Sequence, residues 1–392
     1  MRQLSLARLW VLMVTAFVDQ IGFALILPLL PFYATRFGAD ATTVGVLMAA
    51  FAFGQLISAP FWGRLSDRTG RRPVIIGGLC LAALAFGVFA VADAVWMLLV
   101  CRLLQGMGSG TLSASNAYVS DAVGPDERAQ ALGWITACTS AGTMIGPAIG
   151  SWTVGWHPAA PGLVAMAFCL LNVAFAWRWL PESSAVGNVQ TARRPLAGAI
   201  WSVLRHPTEP RSVVIWTYSA GMAAFMGMNA VMALYLEDRF GITEHTIGWF
   251  YVVVGGLSVV MRGLVLGTLV RRFGEVRVLR TGALLLAVGM CLAPLAASPW
   301  GFLVAMVVVP TGTAMLFPST TSLVSRYCEP EEVGQSLGVQ QGFGGMSRLA
   351  GPLVAGAVFQ FVGAEVPFWL GAALVFAAAL CALRLTPRSS PG

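Results

Sequence analysis

The chain contains no lysine: its 24 basic residues are all arginine, set against 17 acids and three histidines in 392 residues. Charged residues amount to 10 % and hydrophobic ones to 57 %, with a mean hydropathy of +0.77. That is too little charge for a water-soluble globule of this size. The exclusive use of Arg is read as GC-rich codon usage rather than as function. His157, His206 and His245 all fall between the apolar runs, which excludes histidine as a proton carrier inside a membrane. The seven cysteines, Cys80, Cys101, Cys138 and Cys291 among them, lie almost entirely inside those runs. None is spaced as a metal-ligand pair and no disulfide framework is implied. There is no glycine-rich phosphate loop, so ATP does not drive the protein directly. Hydrolytic or redox chemistry finds no support, and neither an enzyme nor a cofactor is expected.

What the chain has instead is apolar length. A helix crosses a bilayer core with about 20 residues. Twelve stretches reach that scale, at roughly 9–33, 43–62, 74–92, 95–120, 130–155, 161–180, 212–236, 246–269, 278–297, 300–324, 334–361 and 366–384. The first holds an Asp and no small-residue cleavage site, and is read as a retained helix rather than a signal peptide. The only extended polar stretch, 181–211, carries Arg193, Arg194, Arg205, Arg211 and four prolines. It divides the chain into residues 1–180, a linker, and residues 212–392.

The two halves repeat each other. Gly63-Arg64-Leu65-Ser66-Asp67-Arg68-Thr69-Gly70-Arg71-Arg72-Pro73 has a weaker copy in Gly267-Thr268-Leu269-Val270-Arg271-Arg272-Phe273-Gly274-Glu275. Gly63 and Gly267, like Gly70 and Gly274, are 204 positions apart. Pro125, Leu132-Gly133 and Gly146-Pro147 return as Pro330, Leu337-Gly338 and Gly351-Pro352 at a shift of 205. A half-length unit used twice in an apolar chain is the signature of a membrane transporter. With the N-terminus in the cytoplasm, 19 arginines fall at the cytoplasmic side and only Arg36 and Arg239 at the other. That split predicts both termini inside. The basic pI near 9.4 is then a topology signal and an attraction to anionic inner-leaflet lipid, not a nucleic-acid footprint.

Four signatures in order make a more specific resemblance: the 63–73 loop, Arg102-Leu103-Leu104-Gln105-Gly106 in the fourth run, Gly142-Thr143-Met144-Ile145-Gly146-Pro147-Ala148-Ile149-Gly150 in the fifth, and Asp19-Gln20-Ile21-Gly22 with Pro28 and Pro31 in the first. The chain resembles the twelve-helix drug:proton antiporters of the major facilitator superfamily, and bacterial tetracycline efflux proteins most of all. That resemblance implies an all-α membrane protein with twelve transmembrane helices in two pseudo-symmetric six-helix bundles. It implies a monomer in the bacterial inner membrane that exchanges protons for a small-molecule substrate by alternating access. The chain departs from the tetracycline exporters at Arg262, and at Ala85 and Leu286, where those proteins carry acids.

Residue by residue, the 63–73 loop is expected to turn tightly on Gly63 and Gly70. Asp67 faces the positive end of the eleventh helix and locks the cytoplasmic side, and the resemblance adds Arg71 and Asp121 as a charge relay. Gly142, Gly146 and Gly150 allow close helix approach across the interface of the halves, and Pro147 permits a bend. Four ionisable residues stand deep in the spans: Asp19, Arg102, Arg262 and Arg348. Charge at such depth faces a cavity or a partner. Asp19, ten residues into its helix, is the only acid near mid-membrane and is expected to carry the proton, paired with Arg102. The expected substrate cavity comprises Asp19, Gln20, Phe23, Arg102, Asn116, Asn229, Gln341 and Arg348. Arg348 has no acid of its own half at its depth, so its partner is a carbonyl, a hydroxyl, an acid of the other half, or the substrate. Arg262 either gates or snorkels to the surface. Three deep arginines against one acid favour neutral, zwitterionic or anionic amphiphiles over multivalent cations. The alternatives are a transporter of a sugar, organic acid or other metabolite, and a non-transporting membrane sensor, for which an appended soluble domain or long tail would be expected.

Overall fold

A computed structural model describes residues 9–109, 114–115, 118–119, 123, 125–182, 196–329 and 332–385. All regular structure among them is helical. The first half supplies α1 (Trp10–Ile26), α2 (Leu30–Arg36), α3 (Ala41–Thr69), α4 (Arg71–Ala90), α5 (Val95–Gly108), α6 (Pro125–Val154) and α7 (Ala160–Trp179). A short α8 (Leu196–Arg205) follows in the linker region. The second half supplies α9 (Pro210–Phe240), α10 (Ile247–Val260), a π-helical turn Met261–Val265, α11 (Leu266–Phe273), α12 (Glu275–Leu292), α13 (Pro299–Arg326), α14 (Val333–Phe361) and α15 (Val366–Ala382).

Among the described residues eight spans are both long and apolar enough to cross a membrane, from Trp10–Arg36, which joins α1 and α2, to Pro299–Arg326. The other four expected spans fall short for two different reasons. Helix α15 is apolar but has only 17 residues, and α5 has 14, the expected span 95–120 extending past the continuously described residues. Helices α6 and α14 have 30 and 29 residues but are diluted by Gly, Ser, Thr and Arg. These last two occupy equivalent places in the two halves. Together the twelve form two six-helix halves, and the protein is a multi-pass, all-α membrane protein.

The repeat is visible in the backbone and in the core. Gly70 joins α3 to α4 at φ 98°, and Gly274 joins α11 to α12 at φ 80°. With ψ near 170° and 155°, both sit where only glycine is comfortable, which is why a single residue suffices as a connection. The buried cluster residues Leu9, Val11, Ile75 and Val119 correspond, each shifted by 204, to Val213, Ile215, Leu279 and Leu323 of the second cluster. Within the first half α1 packs on α6 and α7, and α4 on α5 and α7. In the second, α9 packs on α14 and α15, and α12 on α13 and α15. Between apolar helices in lipid, such seams are held by close van der Waals packing rather than by water exclusion.

The described residues divide into two compact units. One contains those before residue 192 and the segment Ile242–Gly255; the other contains the rest, through 385. The start of α10 thus packs with the first unit although it follows α9 in sequence.

Candidate functional site

In the first unit the deep polar residues lie on α1 and α5. Asp19, Gln20 and Phe23 lie on a partly open face of α1, while Ile21, Gly22 and Leu25 are buried against its neighbours. Among the described residues Asp19 makes no hydrogen bond or ion pair; the thiol of Cys169 on α7 is close enough to feel its charge. The expected pair with Arg102 is not formed. Arg102 is 2 % exposed and turns toward α3, donating through Nε to the Leu47 carbonyl there at 3.4 Å and through a terminal nitrogen to Gln105 Oε1 of its own helix at 2.8 Å. Its guanidinium lies 5.0 Å from the Phe51 ring centre and 5.9 Å from that of Phe23.

The reason is the closeness of α3 and α5. A Cβ on Gly106 would stand 2.1 Å from the Phe51 carbonyl, and one on Gly54 2.6 Å from that of Leu103. Helix α3 in such contact offers Arg102 the Leu47 carbonyl and the Phe51 ring, and a desolvated cation over such a ring is worth up to about 2 kcal/mol. Phe23 links this arginine to α1 in place of Asp19. The Arg102–Gln105 spacing of three, a same-face helical pair, was the sequence signal for this outcome.

In the second unit Arg348, Gln341 and Tyr218 meet. The side chains of Arg348 and Gln341 lie near enough to the Tyr218 hydroxyl to interact with it. Its ring lies on Gly344, where an added Cβ would come within 2.5 Å of Tyr218 Cε1. Phe317 packs edge-on to Tyr218 at 5.6 Å and to Phe225 at 6.2 Å. Asn229 spends an amide hydrogen on the Phe225 carbonyl at 2.7 Å, one turn back on its own helix. Of the arginine's possible partners, then, the structure supplies a hydroxyl. Tyr218 was not anticipated, although a tyrosine in an apolar span is conspicuous in a chain with six. Asn116 lies outside the described residues.

At the expected cytoplasmic loop, α3 runs on to Thr69 and carries Gly63 inside it. Gly63 is therefore not a turn residue, and nothing lies within 4 Å of where its Cβ would be; Gly70 alone makes the turn. Asp67 Oδ1 accepts from Arg71 at 2.8 Å, and the same arginine nitrogen donates to Ser66 Oγ at 2.9 Å. Asp121 lies outside the described residues. A residue not foreseen, Glu182, accepts from the backbone N–H of Arg71 at 2.8 Å and of Arg72 at 3.2 Å. Arg72 in turn donates to the Trp177 carbonyl at the end of α7. An acid directly after Pro181, where the sixth span ends, was the available clue.

The glycines of the fifth-span signature face α1 of their own unit rather than the other half. Added Cβ atoms at Gly142, Gly146 and Gly150 would come within 2.6, 2.8 and 2.2 Å of α1 atoms. The opposite face of the motif meets the start of α10. There the small residues belong to the partner helix: a Cβ on Gly248 would be 2.6 Å from the Pro147 carbonyl, and one on Gly255 3.2 Å from Met144 Cα. Gly248 N–H also donates to Ser151 Oγ at 2.9 Å. Nearby, Arg36 forms an ion pair with Glu244, and His245 Nε2 lies 3.8 Å from the same carboxylate. Arg262 is exposed on the π-helical turn, as a snorkelling arginine would be. Ala85 and Leu286 are fully buried apolar residues, so no titratable group stands at either place.

The family model of the Major Facilitator Superfamily matches residues 12–274 and 216–392. A class C tetracycline resistance protein of Escherichia coli is 28 % identical over 94 % of this chain and 93 % of its own. A multidrug resistance protein of Bacillus subtilis, number 2, is 28 % identical over 89 % and 88 %. Among solved structures, a human organic anion transporter aligns with TM-score 0.72 and 23 % identity over 96 % of this chain and 98 % of its own. A POT family transporter bound to a conjugated peptide aligns with TM-score 0.81 and 14 % identity over 96 % and 95 %. At these identities the two structures speak for the fold alone.

Proposed function

Because the chain belongs to the major facilitator superfamily and is a transporter, we propose that it couples the export of small amphipathic compounds to proton entry, by alternating access in a bacterial inner membrane, with both termini in the cytoplasm. The observation that carries this reading is Asp19. An acid midway along a membrane helix and without an ion-pair partner among the described residues has no fixed cation to hold it ionised, and so can take up and release a proton. A carboxylate neutralised by a fixed arginine would not be, and Arg102 is engaged elsewhere. Arg102 serves here through Phe23, holding α1 against α3 and α5. The names of the tetracycline and multidrug resistance relatives support efflux as the direction.

In the same reading Asp67, Arg71 and Gly70 form the cytoplasmic lock, and Gly142, Gly146, Pro147 and Gly150 give the seams on which α6 moves. Asp19→Asn should abolish uphill, pH-driven transport in inverted vesicles while leaving substrate counterflow, which needs no net proton movement. Full pH-driven accumulation by that variant would remove Asp19 from the mechanism.

A further inference from the structure

We propose that Arg348, Tyr218 and Gln341 form a carboxylate-binding subsite, so that the compounds carried are amphipathic carboxylates or zwitterions presenting a carboxylate. The inference rests on the transport reading above and names its substrate class.

The three side chains come from two packed helices, α9 and α14. Gln341, Gly344 and Arg348 are spaced three and four residues apart and share one face of α14. Gly344 leaves room for the Tyr218 ring against that face, where an added Cβ would stand 3.2 Å from the phenol oxygen. Gln341 and Arg348 both lie within interaction range of it. An arginine has only donors, so toward the guanidinium the phenol oxygen can act only as an acceptor.

The guanidinium is left under-used. It carries five N–H donors, and its Nε is buried with no partner at all. Among the described residues no ion pair reaches it: of the acids of the second unit, Glu275 pairs with Arg326, Glu332 with Arg211 and Glu365 with Arg239. A buried charged donor with nothing to bond is costly unless a ligand supplies the acceptor. Guanidinium, phenol hydrogen and amide together make a set of donors with a net positive charge. Such a set suits a planar, two-oxygen anion, which an arginine grips through two parallel bonds. It does not suit an ammonium. Phe317 and Phe225 stand beside Tyr218 in edge-on contact and offer an apolar wall to the body of the same ligand.

The test uses the purified full-length protein in detergent and three probes of one shape: 2-naphthoate, 2-naphthamide and 2-naphthylmethylamine. Binding is read by quenching of intrinsic tryptophan fluorescence. The native protein should bind 2-naphthoate most tightly. Arg348→Gln should weaken that binding about tenfold to a hundredfold, the loss expected for a charge-assisted pair, and leave 2-naphthamide unchanged. Tyr218→Phe, which keeps the ring on Gly344, should weaken 2-naphthoate several-fold and serves if Arg348→Gln does not fold. Equal binding of acid and amide, preference for the amine, no binding of 2-naphthoate at millimolar concentration, or an acid preference that survives both substitutions would each overturn the proposal. These readouts are independent of proton coupling. Carboxylate preference that persists in a protein showing no pH-driven transport would defeat the transport reading and leave the subsite standing.

Discussion

Glu182 closes the amino end of α4: one carboxylate oxygen accepts from the backbone N–H of both Arg71 and Arg72, at 2.8 and 3.2 Å. The first turn of a helix has four N–H groups without helical partners and carries a partial positive charge. The acid answers both needs from 110 residues away in sequence, and so ties the end of α7 to the start of α4. Glu182→Ala should lower the thermal stability of the detergent-purified protein by about 0.5–2 kcal/mol, the range of a lost helix cap. Glu182→Gln, which keeps an acceptor without the charge, should lose less. Equal melting of all three proteins would show the contact to be incidental.

Gly70 and Gly274 separate two effects that usually occur together. Both have positive φ, so alanine at either should cost about 1–3 kcal/mol of backbone strain. Only at Gly70 would the new Cβ also meet an obstacle, the Glu182 carboxyl at 2.7 Å. Gly70→Ala should therefore be the more damaging of the two, and combining it with Glu182→Ala should recover part of the difference. Stabilities of the three variants and the double variant decide the matter.

Helix α6 offers a similar contrast. A Cβ at Gly150 would stand 2.2 Å from the Leu25 carbonyl, whereas nothing lies within 4 Å at Gly133. Gly150→Ala has to push α1 and α6 apart, at a cost of about 1–3 kcal/mol or more. Gly133→Ala meets no obstacle and should stabilise the helix by up to about 1 kcal/mol. Yields of folded, monodisperse protein should diverge in that order.

Asp40 caps α3 by accepting from the Thr43 N–H at 2.8 Å. The hydrogen bonds from Thr43 hold its carboxyl below the usual carboxylate range. Because the folded value is the lower one, the cap's charge-dependent contribution is complete above the ordinary aspartate value, and it is lost as the pH falls through the folded value. Asp40→Asn keeps an acceptor that does not titrate, so its stability should lack that acid-dependent component. Parallel melting curves of the native and Asn proteins down to strongly acid pH would argue against the cap.

Much of the fold was legible because it is written twice. The apolar runs give the spans, and the 204-residue shift reappears in Gly70 and Gly274 and in core pairs such as Ile75 and Leu279. What could not be read was which face of a helix turns to which neighbour. Sequence shows that Arg102 is too costly to leave unpaired in a membrane. It does not show that Gly54 and Gly106 bring the Leu47 carbonyl and the Phe51 ring within the arginine's reach. The same limit applies to Gly142, Gly146 and Gly150, whose small size was evident and whose partner, α1, was not. Glu182 and Tyr218 escaped notice because each acts through a residue remote in sequence. For Glu182 the partners are two backbone amides, and backbone groups leave no mark in a sequence.

The segment Ile242–Gly255 belongs to one half by chain order and to the other by packing. A gene severed in the linker would therefore encode two incomplete polypeptides. The first would present a vacant socket at Pro147 and Ser151, and the second would carry the strand of chain that fills it. Such fragments should reassemble only when made together, so the repeat in the sequence does not mark out two self-sufficient halves.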